Sequence, residues 1–169
     1  IISYLKKIKK IKRINNFGFS IYNSSELKFL CKMKNFDIIQ LPANIFDQLL
    51  LKNTNLKLLK KKGVEIHVRS VFLQGLVFLS YKKAKIITGE DDESIKQFYT
   101  KFKTKHLRIF HCLNFIKTQK NIGKVVIGVT SFNEFNLINK TYNKKKIKYN
   151  YEKFSINNKN ITKPYNWKI

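Results

Sequence analysis

Two short apolar runs joined by an amphipathic segment set the tightest limit on how this chain can fold. Phe36 to Leu41 (FDIIQL) is nearly all apolar and is stopped by Pro42, and Val64 to Val68 (VEIHV) is rich in β-branched residues and opened by Gly63. Both read as buried strands of a parallel sheet. Between them Leu56, Leu58, Leu59 and Lys60 to Lys62 predict a helix. It ends with Gly63 in the C′ position and carries lysines in its last turn, where the helix dipole favours cations. A crossover of this kind joins parallel neighbours, so Phe36 to Gly75 is one strand, helix, strand unit.

Polar residues gather just past each strand of that unit. Gln40 closes the first, and Arg69, Ser70, Gln74 and Gly75 follow the second. Ligands of parallel α/β folds bind outside the carboxyl ends of the strands, so this cluster marks the ligand face.

The rest of the chain repeats or flanks the unit. Ser3 to Ile14, with Tyr4, Leu5, Ile8, Ile11 and Ile14 among lysines, reads as an amphipathic helix. Phe17 to Ile21 (FGFSI) is a short strand, and Ser24 or Ser25 caps a helix through Glu26, Leu27, Phe29, Leu30 and Met33. From Leu76 to Ser94 the sequence is irregular, and the acidic loop Gly89 to Asp92 lacks calcium-loop spacing and reads as a helix start. Ile95 to Lys103 and Leu107 to Ile116 are helices, with Phe98, Phe102, Phe110, Leu113 and Phe115 as core residues. Lys124 to Val129 (KVVIGV) is the last strand, with Gly128 at its exit. Thr130 and Ser131 cap a helix that runs to about Tyr142. Beyond Asn143 the periodicity stops, which divides the chain into a domain over 1–143 and a tail over 144–169 that packs back through Trp167.

Repeated strand-then-helix steps build either a doubly wound sheet or a barrel. Neither a Gly-x-Gly-x-x-Gly fingerprint nor a Walker phosphate loop occurs, which favours the barrel. Four ordered features then resemble the second half of an aldo/keto reductase. They are GFS at Gly18 to Ser20, Gln40 in IIQLPAN, RSVFLQG at Arg69 to Gly75, and GVTS at Gly128 to Ser131, with Pro164 and Trp167 near the end. The resemblance implies an α/β fold, the C-terminal half (strands five to eight) of a (β/α)8 TIM barrel, and a nicotinamide dinucleotide, NADP or NAD, as cofactor. It implies that Ser20 and Gln40 bind the carboxamide and that Arg69 stacks on the nicotinamide where the family uses an aromatic ring. Ser70, Leu73, Gln74 and Gly75 would line the pyrophosphate, Thr130 and Ser131 would meet the adenosine ribose or its 2′-phosphate, and Gly128 would bind the cofactor at the exit of the last strand. The substrate would be a small carbonyl compound. The family's catalytic Asp, Tyr, Lys and His lie on its first four strands, so the resemblance assigns no catalytic residue to this chain. Two positions depart from the pattern: Ile21 replaces an asparagine, and Asn133 and Glu134 stand where a basic residue is expected, a carboxylate that would repel a 2′-phosphate.

Composition bears on partners. The formal charge is +25, a value usually read as a nucleic-acid footprint. All but three of the 35 basic residues are lysine, however, and arginine is the residue suited to bidentate phosphate and base contacts. A solvated lysine surface is therefore expected, and nucleic acid is not expected as a partner. No metal-ligand spacing occurs at Cys31 or Cys112, read as buried free thiols, and His67, His106 and His111 read as structural, so no metal is expected. No membrane-spanning run is found, and a soluble, cytoplasmic protein is expected. The chain begins at Ile1 and its methionine, Met33, falls within a predicted helix, so it reads as a fragment. The alternatives are a noncatalytic, degenerate half-barrel and a basic nucleic-acid-binding protein.

Overall fold

The crossover is present: β2 (Ile38–Pro42) and β3 (Glu65–Arg69) pair in parallel around α3 (Thr54–Lys61). Helix α3 ends as its glycine predicts, with Gly63 N–H donating to Lys60 O at 3.0 Å and Val64 N–H to Leu59 O at 3.1 Å, the paired bonds of a Schellman motif. The computed structural model describes residues 2–10 and 14–167. Its remaining elements are α1 (Ile2–Lys10), β1 (Gly18–Ser20), α2 (Ser24–Lys32), α4 (Tyr81–Thr88), α5 (Glu93–Lys101), α6 (Lys105–Lys117), β4 (Lys124–Val125), α7 (Phe132–Tyr142) and α8 (Lys159–Thr162). The strands form one sheet in the order β1-β2-β3-β4, and every pairing is parallel.

The register sorts the side chains onto two faces, because successive residues of a strand point to opposite sides. Phe19, Ile39, Ile66, Leu41, Val68 and Val125 share the face that the helices cover. There Ile39, Leu41, Ile66 and Val68 are fully buried, in one core with Leu27 and Leu30 of α2 and Leu56 and Leu59 of α3. Each such side chain contributes about 1.5–3 kcal/mol on leaving water. The other face carries Gly18, Ser20, Ile38, Gln40, Glu65, His67, Arg69 and Lys124. None of these residues is fully buried, and most of them are polar.

Several elements differ from expectation. The last strand covers Lys124–Val125 and not Lys124 to Val129. After Val126 N–H donates to Val68 O at 2.8 Å, β3 turns away at Ser70, which has φ +60, and the segment loses its pairing partner. Asn23, and not Ser24 or Ser25, caps α2: its side chain accepts from Glu26 N while Glu26 Oε2 accepts from Asn23 N, a capping box that leaves the serines little to add. Helix α4 lies inside the stretch read as irregular, between the Ser80 cap and Gly89. Only Ala84 and Thr88 of it are buried, a stripe too narrow to show through its lysines. Helix α1 is described over Ile2–Lys10; Ile11 lies outside the described residues, and Ile14 is not helical. Asp92, in the acidic loop read as a helix start, caps α5 by accepting from Ser94 N and Ile95 N.

The segment after Asn143 enters the core. Tyr151, Phe154, Ile156 and Ile161 are buried, Trp167 is half-buried, and Trp167 Nε1 donates to Ile161 O at 3.1 Å. The segment docks on the loop that follows β2: Ile156 N–H donates to Phe46 O, Gln48 Nε2 to Tyr151 O at 2.8 Å, and Lys163 pairs with Asp47 at 2.8 Å. Tyr151 also closes a buried polar knot, accepting from Asn114 Nδ2 at 2.7 Å and lying 2.9 Å from His111 Nδ1, whose ring stacks on Phe102.

Two predictions follow from this packing. A Cβ on Gly18 would sit 1.8 Å from Ile38 O, whereas one on Gly128 would meet nothing within 4 Å. Gly18→Ala is therefore expected to lower unfolding stability by about 2 kcal/mol or more, with Gly128→Ala near neutral; equal urea midpoints for the two variants would contradict the register of β1 on β2. Burial holds the His111 imidazole down at about 4 from an ordinary 6.5. The unfolded chain then takes up a proton that the folded chain refuses, so this contribution is whole above pH 6.5 and is lost as pH falls towards 4. Urea midpoints at pH 7 and pH 4.5 should therefore differ more in the wild type than in His111→Gln; parallel losses would refute the assignment.

Candidate functional site

Parallel strands leave at one end of the sheet, so the exits of β1, β2 and β3 meet. Ser20 stands beside Gln40 in register, and Gln40 beside His67. Arg69 follows on the same open face one pair further along. Ile21 N–H donates to Gln40 O at 2.8 Å, which ties the exit of β1 to β2. The Arg69 guanidinium lies over the Tyr22 ring, 4.4 Å from its centroid, with long contacts of 3.4 Å to Ser70 Oγ and 3.5 Å to Ile21 O. Tyr22 is 53% exposed. An aromatic directly after a strand exit is a signal that could have pointed to it, beside an arginine that lacks a stacking partner.

Past β3 the backbone is strained. Ser70, Leu73 and Gln74 have φ of 60, 44 and 50, and Gly75 follows at 82. A side-chain-bearing residue in this region costs about 1–2 kcal/mol. Such a run persists only when its surroundings over-determine it, and it clusters at ligand-binding sites. The surroundings are clear. Asn44 Nδ2 donates to Ser70 O at 3.3 Å, and Ala43 N–H to Arg69 O. Val71 and Leu73 are buried. Tyr99 Oη donates to Leu76 O at 2.6 Å, and the buried Arg108 donates Nε to Val77 O at 2.6 Å and Nη1 to Phe102 O and Lys103 O. Arg108 is a structural clip for this loop. Its spacing on a helix gave no hint of that.

A cavity of about 530 Å³ opens beside the loop. Arg69, Ser70, Gln74 and Gly75 contribute to it from the β3 side, and Gly128, Thr130 and Glu134 from the segment after β4 and from α7. Val71, Phe72, Phe78, Val126 and Ile127 complete its lining. Ser131 caps α7 by accepting from Glu134 N at 3.2 Å. Glu134 Oε2 accepts from Thr130 N and from Thr130 Oγ1, both at 2.9 Å. Those two bonds, the backbone one foremost, hold the Glu134 carboxyl below its usual range.

Of the ten residues singled out from sequence, Arg69, Ser70, Gln74, Gly75, Gly128 and Thr130 share this lining, and Ser20 and Gln40 lie together on the adjoining open face. Leu73 sends its side chain into the core, where it is 1% exposed, so no side-chain contact to a ligand is open to it. Ser131 uses its hydroxyl as a helix cap. His67 Nε2 lies 3.4 Å from Glu65 Oε1 without forming a hydrogen bond, His111 is in the core and His106 is exposed on α6. Among the described residues no group of three or more His, Cys, Asp or Glu is placed to hold a metal ion, and no helix is long and apolar enough to cross a membrane.

No protein-family model matches the chain, and no curated protein matches its sequence. The arrangement of its elements does match solved structures. Aldo-keto reductase AKR11C1 from Bacillus halodurans, in its holo form, superimposes with a TM-score of 0.69 at 16% identity, over 87% of this chain and 51% of that one. The apo form gives 0.67 at 15% identity, over 90% and 54%. The fold is that of part of an aldo-keto reductase barrel. The chain spans about half the length of the reductase it matches. At this identity the likeness to the aldo-keto reductase extends to the path of the backbone: parallel strands, each with its helical return, as in a segment of a (β/α)8 barrel.

Proposed function

We propose that this chain is the cofactor-binding half of an NAD(P)H-dependent aldo-keto reductase that reduces a small carbonyl compound. The observation that carries the reading is the cavity at the β3 exit, set beside Ser20 and Gln40 in a backbone arrangement like that of such a reductase. The lining fits a dinucleotide chemically. It offers the planar guanidinium of Arg69, the hydroxyls of Ser70 and Thr130, the amide of Gln74 and apolar surface for rings. Ser20 and Gln40 present a hydroxyl and an amide to a nicotinamide carboxamide, which itself has one acceptor and one donor group. Arg69, braced by Tyr22, gives a planar surface for the ring. Ser70, Gln74 and Gly75 bound the pyrophosphate, and Gly128 and Thr130 the adenosine end.

When bound, the nicotinamide supplies hydride to the carbonyl carbon. This chain binds and orients; its catalytic partners belong to the first half of such a barrel, which the resemblance makes the source of the proton donor. Cys31 and Cys112 are unpaired thiols, as suits a reducing cytoplasmic compartment.

NADH fluorescence titrations test the reading, on the chain alone and with the complementary half supplied. Gln40→Ala and Ser70→Ala should each weaken binding by about tenfold, the loss of one well-placed hydrogen bond to a charged or polar group. Binding that ignores both substitutions and collapses with added salt would instead support the basic-surface alternative.

A further inference from the structure

The charges in the cavity lining separate the two common nicotinamide dinucleotides, which differ only in the 2′-phosphate of the adenosine ribose. Among the described residues Arg69 is the one cation of that lining and Glu134 the one carboxylate, and they reach it from different elements, β3 and α7. We propose that Glu134 makes the site selective for NAD(H), the form with a free 2′-hydroxyl, over NADP(H). The proposal rests on the cofactor reading above and specifies it further.

A phosphate monoester brings close to two negative charges and no hydrogen-bond donor near neutral pH. At this lining it would meet a carboxylate. It would also find the backbone N–H and the hydroxyl of Thr130 already donated to Glu134 Oε2. A ribose diol presents the opposite chemistry, two hydroxyl donors, and a carboxylate oxygen is a strong acceptor for them. No hydrogen bond among the described residues uses Glu134 Oε1, which leaves that oxygen for such a contact. The carboxyl is ionised near neutral pH, because the Thr130 bonds hold it below its usual range. One lysine works against the repulsion: Lys105 lies over the Phe78 ring, 4.9 Å from its centroid, and its charge is felt at Glu134. Lys105 offsets part of the carboxylate's charge without joining the lining, and Arg69 reaches the cavity from β3 and not from the α7 end, where Thr130 and Glu134 stand.

All these residues belong to this chain, so the test is run on it: NADH and NADPH are titrated by fluorescence, with AMP and adenosine 2′,5′-bisphosphate, which differ only in the 2′-phosphate, as competitors that probe the adenosine end alone. The wild type should bind NADH and AMP about tenfold or more tightly than their 2′-phosphorylated counterparts. Glu134→Gln should narrow that gap and Glu134→Arg should invert it, with circular dichroism confirming that both variants keep their helices. Equal or tighter binding of NADPH by the wild type, or a gap unchanged in Glu134→Gln, overturns the selectivity while leaving the cofactor reading intact. Binding of none of the four nucleotides overturns both.

Discussion

The parallel register of β1, β2 and β3 is the constraint on which the rest of the structure depends. It puts Ile39, Leu41, Ile66 and Val68 under the helices and, by the same alternation, puts Ser20, Gln40, His67 and Arg69 on the open side. A slip of one residue would reverse both sets and place an arginine and a histidine in the apolar core. The close approach of Gly18 to Ile38 pins this register at the sheet edge, where a side chain of any size would force the strands apart. Core and site are thus two results of one alignment.

The strained loop after β3 shows how the core supports the site. Left-handed residues at Ser70, Leu73 and Gln74 are unfavourable alone. Burial of Val71 and Leu73, together with donors from Asn44, Tyr99 and Arg108 onto the loop's carbonyls, offsets that cost. The polar side chains of Ser70 and Gln74 are left facing the cavity as a result. The C-terminal segment takes part at one remove, because its contacts with Phe46, Asp47 and Gln48 hold the loop after β2 that carries Asn44.

Much of this was legible in the sequence where local signals and burial agree. The crossover from Phe36 to Gly75 could be read because apolar strands, a lysine-rich last turn and Gly63 all point one way. The cluster of Gln40, Arg69, Ser70 and Gly75 could be read because polar groups at strand exits are conspicuous against apolar runs. What escaped depends on tertiary partners. Tyr22 gains its place only when Arg69 arrives from another strand, and Arg108 is indistinguishable from a surface cation until the carbonyls of Val77, Phe102 and Lys103 surround it. Tyr151 and Phe154 sit in a stretch of lysine and asparagine without periodicity, so their burial is set by the groove they enter. Strand β4 was read as long because KVVIGV suits a strand, but a strand also needs a neighbour, and β3 turns away after Arg69.

The most direct measurement is a two-dimensional amide NMR titration of the chain with NADH. Shifts confined to Ser20, Gln40, Arg69 to Gly75 and Gly128 to Glu134 would establish that the strand exits and the cavity form one cofactor site. Shifts spread over the lysine-rich surfaces of α1, α3 and α4, with those exits unmoved, would contradict it and make the half-barrel fold a scaffold for something else.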